Sequence, residues 1–282
     1  MPNRIPILMY HAIAEASCER EARYTTTPTA FAEQMQDLVD SGFTSLSLSQ
    51  LQGLWARGAT PPPRSVVITF DDGFACLHET AAPILRQHGL RASVFAISGY
   101  LDRMGRYDAD LGIPARPMLA RSQLLELHES GIEIGSHSVN HPDLRSLTPA
   151  GLRYELERSR GDLEDLIGAP VRGFSYPRGL VDRTVHDAVR EAGYLWACST
   201  RPGLNNRQTC RFTLRRAQVG QQTDRSAFVT LLRQGAAPGT LAAARIREKL
   251  VFMLATLGGR DPMDLYNRPL RREVAARWLH RA

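Results

Sequence analysis

The 282 residues carry a formal charge of +6, and 43% of them are hydrophobic, 7% aromatic and 23% charged. That balance excludes a disordered or collagen-like chain and fits one large globular domain, or one domain with an extension. No apolar run approaches the roughly 18 residues that cross a bilayer, the longest being 250–257.

At the start of the chain, Arg4 is followed only by a brief apolar stretch, interrupted by Pro6 and closed by Tyr10-His11. This is not the pattern of a secretory signal, and a cytoplasmic protein is expected. Short apolar strands are expected at 5–11, 43–46, 66–70, 92–97, 132–135, 173–176, 195–199 and 212–219. Between them, amphipathic patterns predict helices at 29–41, 75–88, 122–130, 149–167 and 182–192. Pro28 and Gly42 punctuate the first of these, and Thr148 and Gly168 the fourth. Pro61-Pro62-Pro63 is a stiff lead-in to the third strand, and 99–117 reads as a long loop over one rim. Beyond Gly220 the pattern turns helical at 224–234 and 240–257, with a short helix near 271–280.

Strands alternating with helices predict a parallel sheet with right-handed crossovers. Seven or eight such units in about 220 residues point to an α/β fold, a distorted (β/α) barrel of about seven strands. Residues 1–220 are expected to form the barrel, and 221–282 a helical, basic extension packed on it. Residues 1–200 hold 19 basic and 24 acidic side chains, whereas 201–282 hold 16 and 5. Such a basic end could lie against anionic lipid, and Arg245, Arg247 and Lys249 ahead of Leu250-Val251-Phe252-Met253-Leu254 suit peripheral membrane contact or packing on the domain itself. Nucleic-acid binding would rest on charge alone. Cys18, Cys76, Cys198 and Cys210 form no CxxC pair and are expected to be thiols.

Three segments carry chemistry, each at the end of an expected strand. Asp71 and Asp72, in Thr69-Phe70-Asp71-Asp72-Gly73, place two carboxylates side by side, which is costly unless a cation neutralises them. His137 and His141, in His137-Ser138-Val139-Asn140-His141, are spaced so that one turn or tight loop aims both imidazoles at one point. Two imidazoles with a carboxylate suit zinc or another divalent metal. The third segment, Arg172 to Gly179, contains Pro177-Arg178-Gly179, a sharp turn able to present a backbone N–H to a developing oxyanion. Trp196 and Tyr176 could line a sugar groove or fill the core.

These residues resemble the polysaccharide deacetylase family, whose defining region is the NodB homology domain of carbohydrate esterase family 4, over about residues 5–219. Thr69 to Gly73 looks like its first motif, His137 to His141 its second and Arg172 to Gly179 its third. Leu8-Met9-Tyr10-His11 and Gly193-Tyr194 are further echoes. The resemblance implies metal-dependent removal of an N-acetyl group from an amino sugar in a glycan or glycan precursor. Asp71 would be the base acting on a metal-bound water, Asp72, His137 and His141 the ligands of a divalent ion, zinc first among them, and the Arg178 N–H an oxyanion donor. The aromatic that the family places after Pro177 is here Arg178, and the late leucine–histidine motif that supplies the family's acid has no counterpart unless it is Leu279-His280. His11, delivered to the same rim by the first strand, is the candidate replacement acid, the alternative being a structural histidine bonded to backbone. Arg172 either orients Asp71 or pairs with a surface carboxylate. Two other readings stay open: a metal-dependent amidohydrolase acting on a small cyclic amide or imide, and a non-catalytic carbohydrate-binding barrel.

Overall fold

In the computed structural model, residues 4–107, 109, 112–237, 240, 241, 243 and 246 are described. The expected helices at 240–257 and 271–280, the basic-apolar segment 245–254 and Leu279-His280 lie wholly or mostly outside them.

Eight parallel strands make the main sheet. They are β1 (Ile7–Tyr10), β4 (Thr44–Leu46), β5 (Ser65–Phe70), β6 (Ser93–Ala96), β9 (Glu133–Ser136), β10 (Gly173–Ser175), β11 (Trp196–Cys198) and β12 (Ala217–Gln218). Two-residue strands β2 (Ala12–Ile13) with β3 (Thr25–Thr26), and β7 (Met104–Gly105) with β8 (Arg116–Pro117), form small ladders. Around the main sheet the order is β11-β10-β9-β6-β5-β1-β12. β4 shares one side of β5 with β6, taking Ser65 to Val67 and leaving Thr69 and Phe70 to β6. The ends of this path meet, because Leu214 bridges Cys198 of β11 three residues before Ala217 pairs with Leu8 of β1. One extended segment, 212–219, thus touches both edges and curls the sheet into the expected distorted barrel.

Strand alternation sorts side chains into two cores. Val66, Ile68 and Phe70 belong to the larger cluster, beneath the helices, whereas Val67 belongs to a smaller one inside the ring with Ile5, Ile7, Phe95, Trp196, Cys198 and Leu214. The same parity continues past each strand. Ile7 leads to Met9 and His11, Val67 to Thr69 and Asp71, Trp196 to Cys198, and Leu214 to Arg216 and Gln218. The barrel interior therefore becomes polar at its C-terminal rim by simple periodicity.

Helices cover the outside. α1 (Pro28–Asp40) starts at Thr27, whose hydroxyl accepts from Ala30 N, and it buries Phe31, Gln34, Met35 and Leu38 at helical spacing. α2 (Leu48–Ala56) was not expected from the sequence. It is nine residues long with Gly53 inside, yet Ser47 and Gln50 close a capping box around its start. Leu48, Leu51 and Trp55 of α2 join the inner cluster and plug the N-terminal end of the barrel. α3 (Ala82–Gln87) follows a π-helical turn at Leu77–Ala81. α4 (Arg121–Glu129) packs outside β9. α5 (Pro149–Arg153), a second π turn (Tyr154–Arg158) and α6 (Ser159–Ile167) run on as the single helix expected at 149–167. α7 (Arg183–Glu191) and α8 (Arg225–Gln234) complete the described helices. α8, in the stretch expected as an extension, sinks Phe228, Leu231 and Leu232 into the larger core. No described helix is long and apolar enough to cross a membrane. Cys198 is buried in the barrel and Cys210 is exposed; neither is in a disulfide.

Candidate active site

At the C-terminal rim a cavity of about 230 Å³ is lined by Asp71, Asp72, His137, His141, His11 and Arg178. All six candidate residues thus come together. Tyr24, Phe74, Tyr107, Ile113 and Pro114, from the loops after β2, β5 and β7, form its apolar walls.

Asp71 faces inward by strand parity; Asp72, next in sequence, should face out. It does not, because its φ is +75° and that of Gly73 is +86°, so the chain turns back at the rim. A Cβ on Gly73 would lie 3.3 Å from the Cα and Cβ of Ala96, tight even apart from the backbone angle. Ser138, His141 and Arg178 also have positive φ, at 67°, 59° and 55°. Left-handed non-glycine residues, each costing about 1–2 kcal/mol, persist where the surroundings over-determine them. Here the surroundings are visible. The buried Glu155, brought under the loop by the second π turn, accepts from Val139 N (2.8 Å), Asn140 N (2.9 Å) and Asn140 Nδ2 (2.7 Å). Ser138 Oγ accepts from His141 N at 3.0 Å. Gly99 lets the loop approach closely, since a Cβ there would stand 2.5 Å from the Val139 carbonyl oxygen.

One ligand atom from each of Asp72, His137 and His141 lies within 4.8 Å of the others, and all three side chains are buried. His137 Nδ1 lies 2.7 Å from the Ser175 carbonyl. A carbonyl only accepts, so Nδ1 carries a proton, and Nε2 faces Asp72 Oδ1 at 3.4 Å. His141 Nε2 is 3.8 Å from the same oxygen. A lone pair facing a carboxylate is repulsive unless a cation lies between them. Spacings near 3.4 Å are what a tetrahedral ion with bonds of about 2.1 Å requires, so the residues present fit a divalent metal. The charges follow from the same contacts. Burial opposes ionisation of Asp72, but His137, His11 and His141 outweigh it and hold the carboxyl far below its ordinary range. Burial and the neighbouring His137 lower His141 to about 3, which keeps it neutral and able to ligate. For His137, burial is outweighed by Asp71 and Asp72, and its pKa is raised.

Asp71 lies beside this set and is differently held. Arg216 donates to both of its oxygens, Nη1 to Oδ1 and Nη2 to Oδ2, each at 2.7 Å. The Ser175 hydroxyl accepts from Arg216 Nη2 at 2.8 Å and donates to Asp71 Oδ2 at 3.1 Å. Burial pushes the Asp71 carboxyl up, but the charge of Arg216, with His137 and His11, brings it below the usual range. An ionised carboxylate thus sits in a site nearly closed to solvent. His11 faces the same group with Nδ1 buried and unpartnered, and burial lowers its pKa against the opposing pull of Asp72 and Asp71.

Residues 58–197 match the family model for polysaccharide deacetylases. The chain belongs to the polysaccharide deacetylase family. Its enzyme class is accordingly that of a hydrolase acting on C–N bonds. YxkH of Bacillus subtilis, which carries the polysaccharide deacetylase name, is 28% identical over 227 residues, 80% of this chain and 75% of that protein. The poly-β-1,6-N-acetyl-D-glucosamine N-deacetylase of Staphylococcus aureus is 24% identical over 68% of this chain and 70% of its own. Among solved structures, the Streptococcus pyogenes deacetylase PplD in complex with acetate superposes with a TM-score of 0.70 at 26% identity, covering 83% of this chain and 99% of PplD.

The motifs of this polysaccharide deacetylase lie where the sequence put them, with one correction. Arg172 does not orient Asp71: it precedes β10, at the opposite end of the barrel, and is exposed. The guanidinium that does so belongs to Arg216, which sequence reasoning missed. Its signal was present in the strand expected at 212–219, where an arginine between Leu214 and Gln218 falls on the inward face. Tyr176 and Trp196 are core residues, the Tyr176 hydroxyl donating to Phe212 O at 2.9 Å. His78 pairs with Glu126 at 2.7 Å, far from any catalytic role.

Proposed function

We propose that the protein is a metal-dependent N-deacetylase that removes acetyl groups from N-acetylhexosamine units of a glycan or glycan precursor. The observation that carries this reading is the Asp72, His137 and His141 donor set beside an ionised, arginine-clamped Asp71 in one rim cavity. Its likeness to a poly-β-1,6-N-acetyl-D-glucosamine N-deacetylase supports the amino-sugar substrate.

In this reading Asp72, His137 and His141 hold the ion. A divalent ion there, zinc by preference for this donor set, supplies Lewis acidity that polarises the amide carbonyl and acidifies water. Asp71 takes the proton of the attacking water, and Arg216 and Ser175 fix the carboxylate so that one lone pair faces the substrate. The backbone N–H of Arg178 donates to the oxygen that gains charge as the carbonyl becomes tetrahedral. His11, across the cavity, protonates the departing sugar nitrogen, which leaves as the amine while acetate remains. Tyr24, Tyr107 and Phe74 offer apolar surfaces to the sugar ring.

The test is acetate release from N-acetylglucosamine oligomers by protein of measured metal content. We expect acetate and free amine in equal amounts, activity lost on dipicolinate treatment and regained with zinc. Acetate release that survives complete metal removal would overturn the reading, and so would a fully metallated enzyme that opens cyclic imides but leaves every N-acetylhexosamine intact.

A further inference from the structure

Several residues that the deacetylation chemistry leaves unused gather at the other end of the barrel. A cavity of about 500 Å³ lies between α2 and the chain entering β10 and β11. Its wall carries three guanidinium groups, Arg172, Arg207 and Arg211, and no carboxylate. Arg207 and Arg211 share one loop while Arg172 comes from the chain entering β10, and no ion pair among the described residues includes any of the three. The Arg211 guanidinium lies 5.2 Å from the Phe212 ring centre, and Arg207 rests against the backbone at Gly58, just past α2. Glu133, the carboxylate bonded to the first turn of α2 through Ser49 N (3.1 Å), is fully engaged there and with Ser93 Oγ (2.6 Å).

Two further residues of that wall keep their donor nitrogens out of its reach. Gln52 Nε2 and Trp196 Nε1 are both buried with no hydrogen-bond partner, and Trp196 is only 5% exposed. Trp196 Nε1 lies over Gly173, 2.5 Å from where a Cβ of that glycine would stand. The loop presenting Arg207 and Arg211 is set in shape beforehand. Asn206 Oδ1 accepts from Gln208 N (2.9 Å) and Thr209 N (3.1 Å), while Thr209 Oγ1 accepts from Asn206 N (3.0 Å). A wall with three guanidinium groups and no carboxylate suits an oxyanion, since guanidinium forks match carboxylate and phosphate geometry. Trp55 and Trp196 add an apolar side, and the volume is that of a small-ligand pocket rather than of a single ion.

We propose that this cavity at the N-terminal end of the barrel is a second binding site, for a sugar-sized molecule bearing a phosphate or carboxylate group. It is separate from the rim where deacetylation takes place, on the far side of the α2 plug and the barrel core.

Calorimetric titration of the metal-loaded, full-length protein tests it, with N-acetylglucosamine 1-phosphate, glucuronic acid, inorganic phosphate and uncharged N-acetylglucosamine as probes. One of the two anionic sugars should bind at least tenfold more tightly than inorganic phosphate, and its identity names the source of the charge. The Arg172→Ala/Arg211→Ala double variant should weaken that binding at least tenfold while acetate release stays at the wild-type rate. Equal binding of inorganic phosphate and the anionic sugars, or unchanged affinity in the double variant, would refute the proposal.

Discussion

Replacing Arg216 with Met removes the only described cation that touches Asp71 and leaves a chain of similar length in its place. The pair is inaccessible, with Arg216 side-chain exposure of 0% and Asp71 of 4%, so solvent does little to replace the lost charge. Breaking a buried pair from one side costs about 3–5 kcal/mol, because the surviving charge is left uncompensated. The carboxylate can escape that cost by taking a proton. At about 1.36 kcal/mol per unit, the same energy corresponds to a rise of about 2–4 units in the Asp71 pKa. The sign is fixed by the native arrangement. A carboxyl held below its unfolded value stabilises the fold above that value, near 3.9, and the contribution is lost as pH falls through the lower folded value. In the variant the relation inverts, and Asp71 becomes a group that favours the fold when protonated and burdens it when ionised. The assay is acetate release against pH, with thermal unfolding followed across the same range. Wild-type activity should keep its acid limb at the low end of the stable range, whereas Arg216→Met should move that limb up by about 2 units or more. Arg216→Lys keeps the charge and loses the fork, and it should fall between the two. A folded Arg216→Met protein with an unshifted acid limb would show that Arg216 does not keep Asp71 ionised.

Asp71→Asn should retain the metal yet lose about 10²–10⁴-fold in turnover, while His137→Ala loses both; metal analysis of the purified variants separates them, and an active Asp71→Asn protein would remove Asp71 as the base. His11→Ala should depress kcat with metal occupancy unchanged, and unaltered kinetics would exclude it from proton transfer. Glu155→Ala frees the three N–H groups that shape the histidine loop and should weaken metal affinity about 10–100-fold, read by competition with a chromogenic chelator. Retention of wild-type affinity would mean that the loop holds its shape without Glu155.

The fold was legible because its signals were periodic. All eight strands of the main sheet could be found as apolar runs, and inward parity alone carries Ile7 to His11 and Val67 to Asp71. What escaped reading was aperiodic or depended on partners distant in sequence. The turn that brings Asp72 round to the cavity, by contrast, was legible from Gly73, and a left-handed backbone angle at Asp72 is the form it takes. α2 escaped because nine residues with an internal glycine give a weak helical pattern, although Ser47 and Gln50 spelled its start. Arg172 was weighed as the partner of Asp71 because it opens the third motif, yet residues before a parallel strand lie at the end of the barrel opposite those after it. Arg216 sits 145 positions from Asp71, and only the closure of the sheet brings the two together.

The α2 plug makes the reaction chamber a blind alley. Leu48, Leu51 and Trp55 stop one end of the barrel, and Phe95, Trp196 and Cys198 fill the space above them, so the described residues leave no channel beneath the reacting carbonyl. In the proposed reaction acetate must therefore depart through the mouth that the sugar entered, and it is trapped for as long as the polymer strand lies across that mouth. An enzyme with such a floor lets go of the strand, or slides it aside, after each cut, and the deacetylated units it leaves should be scattered along the polymer rather than gathered in runs.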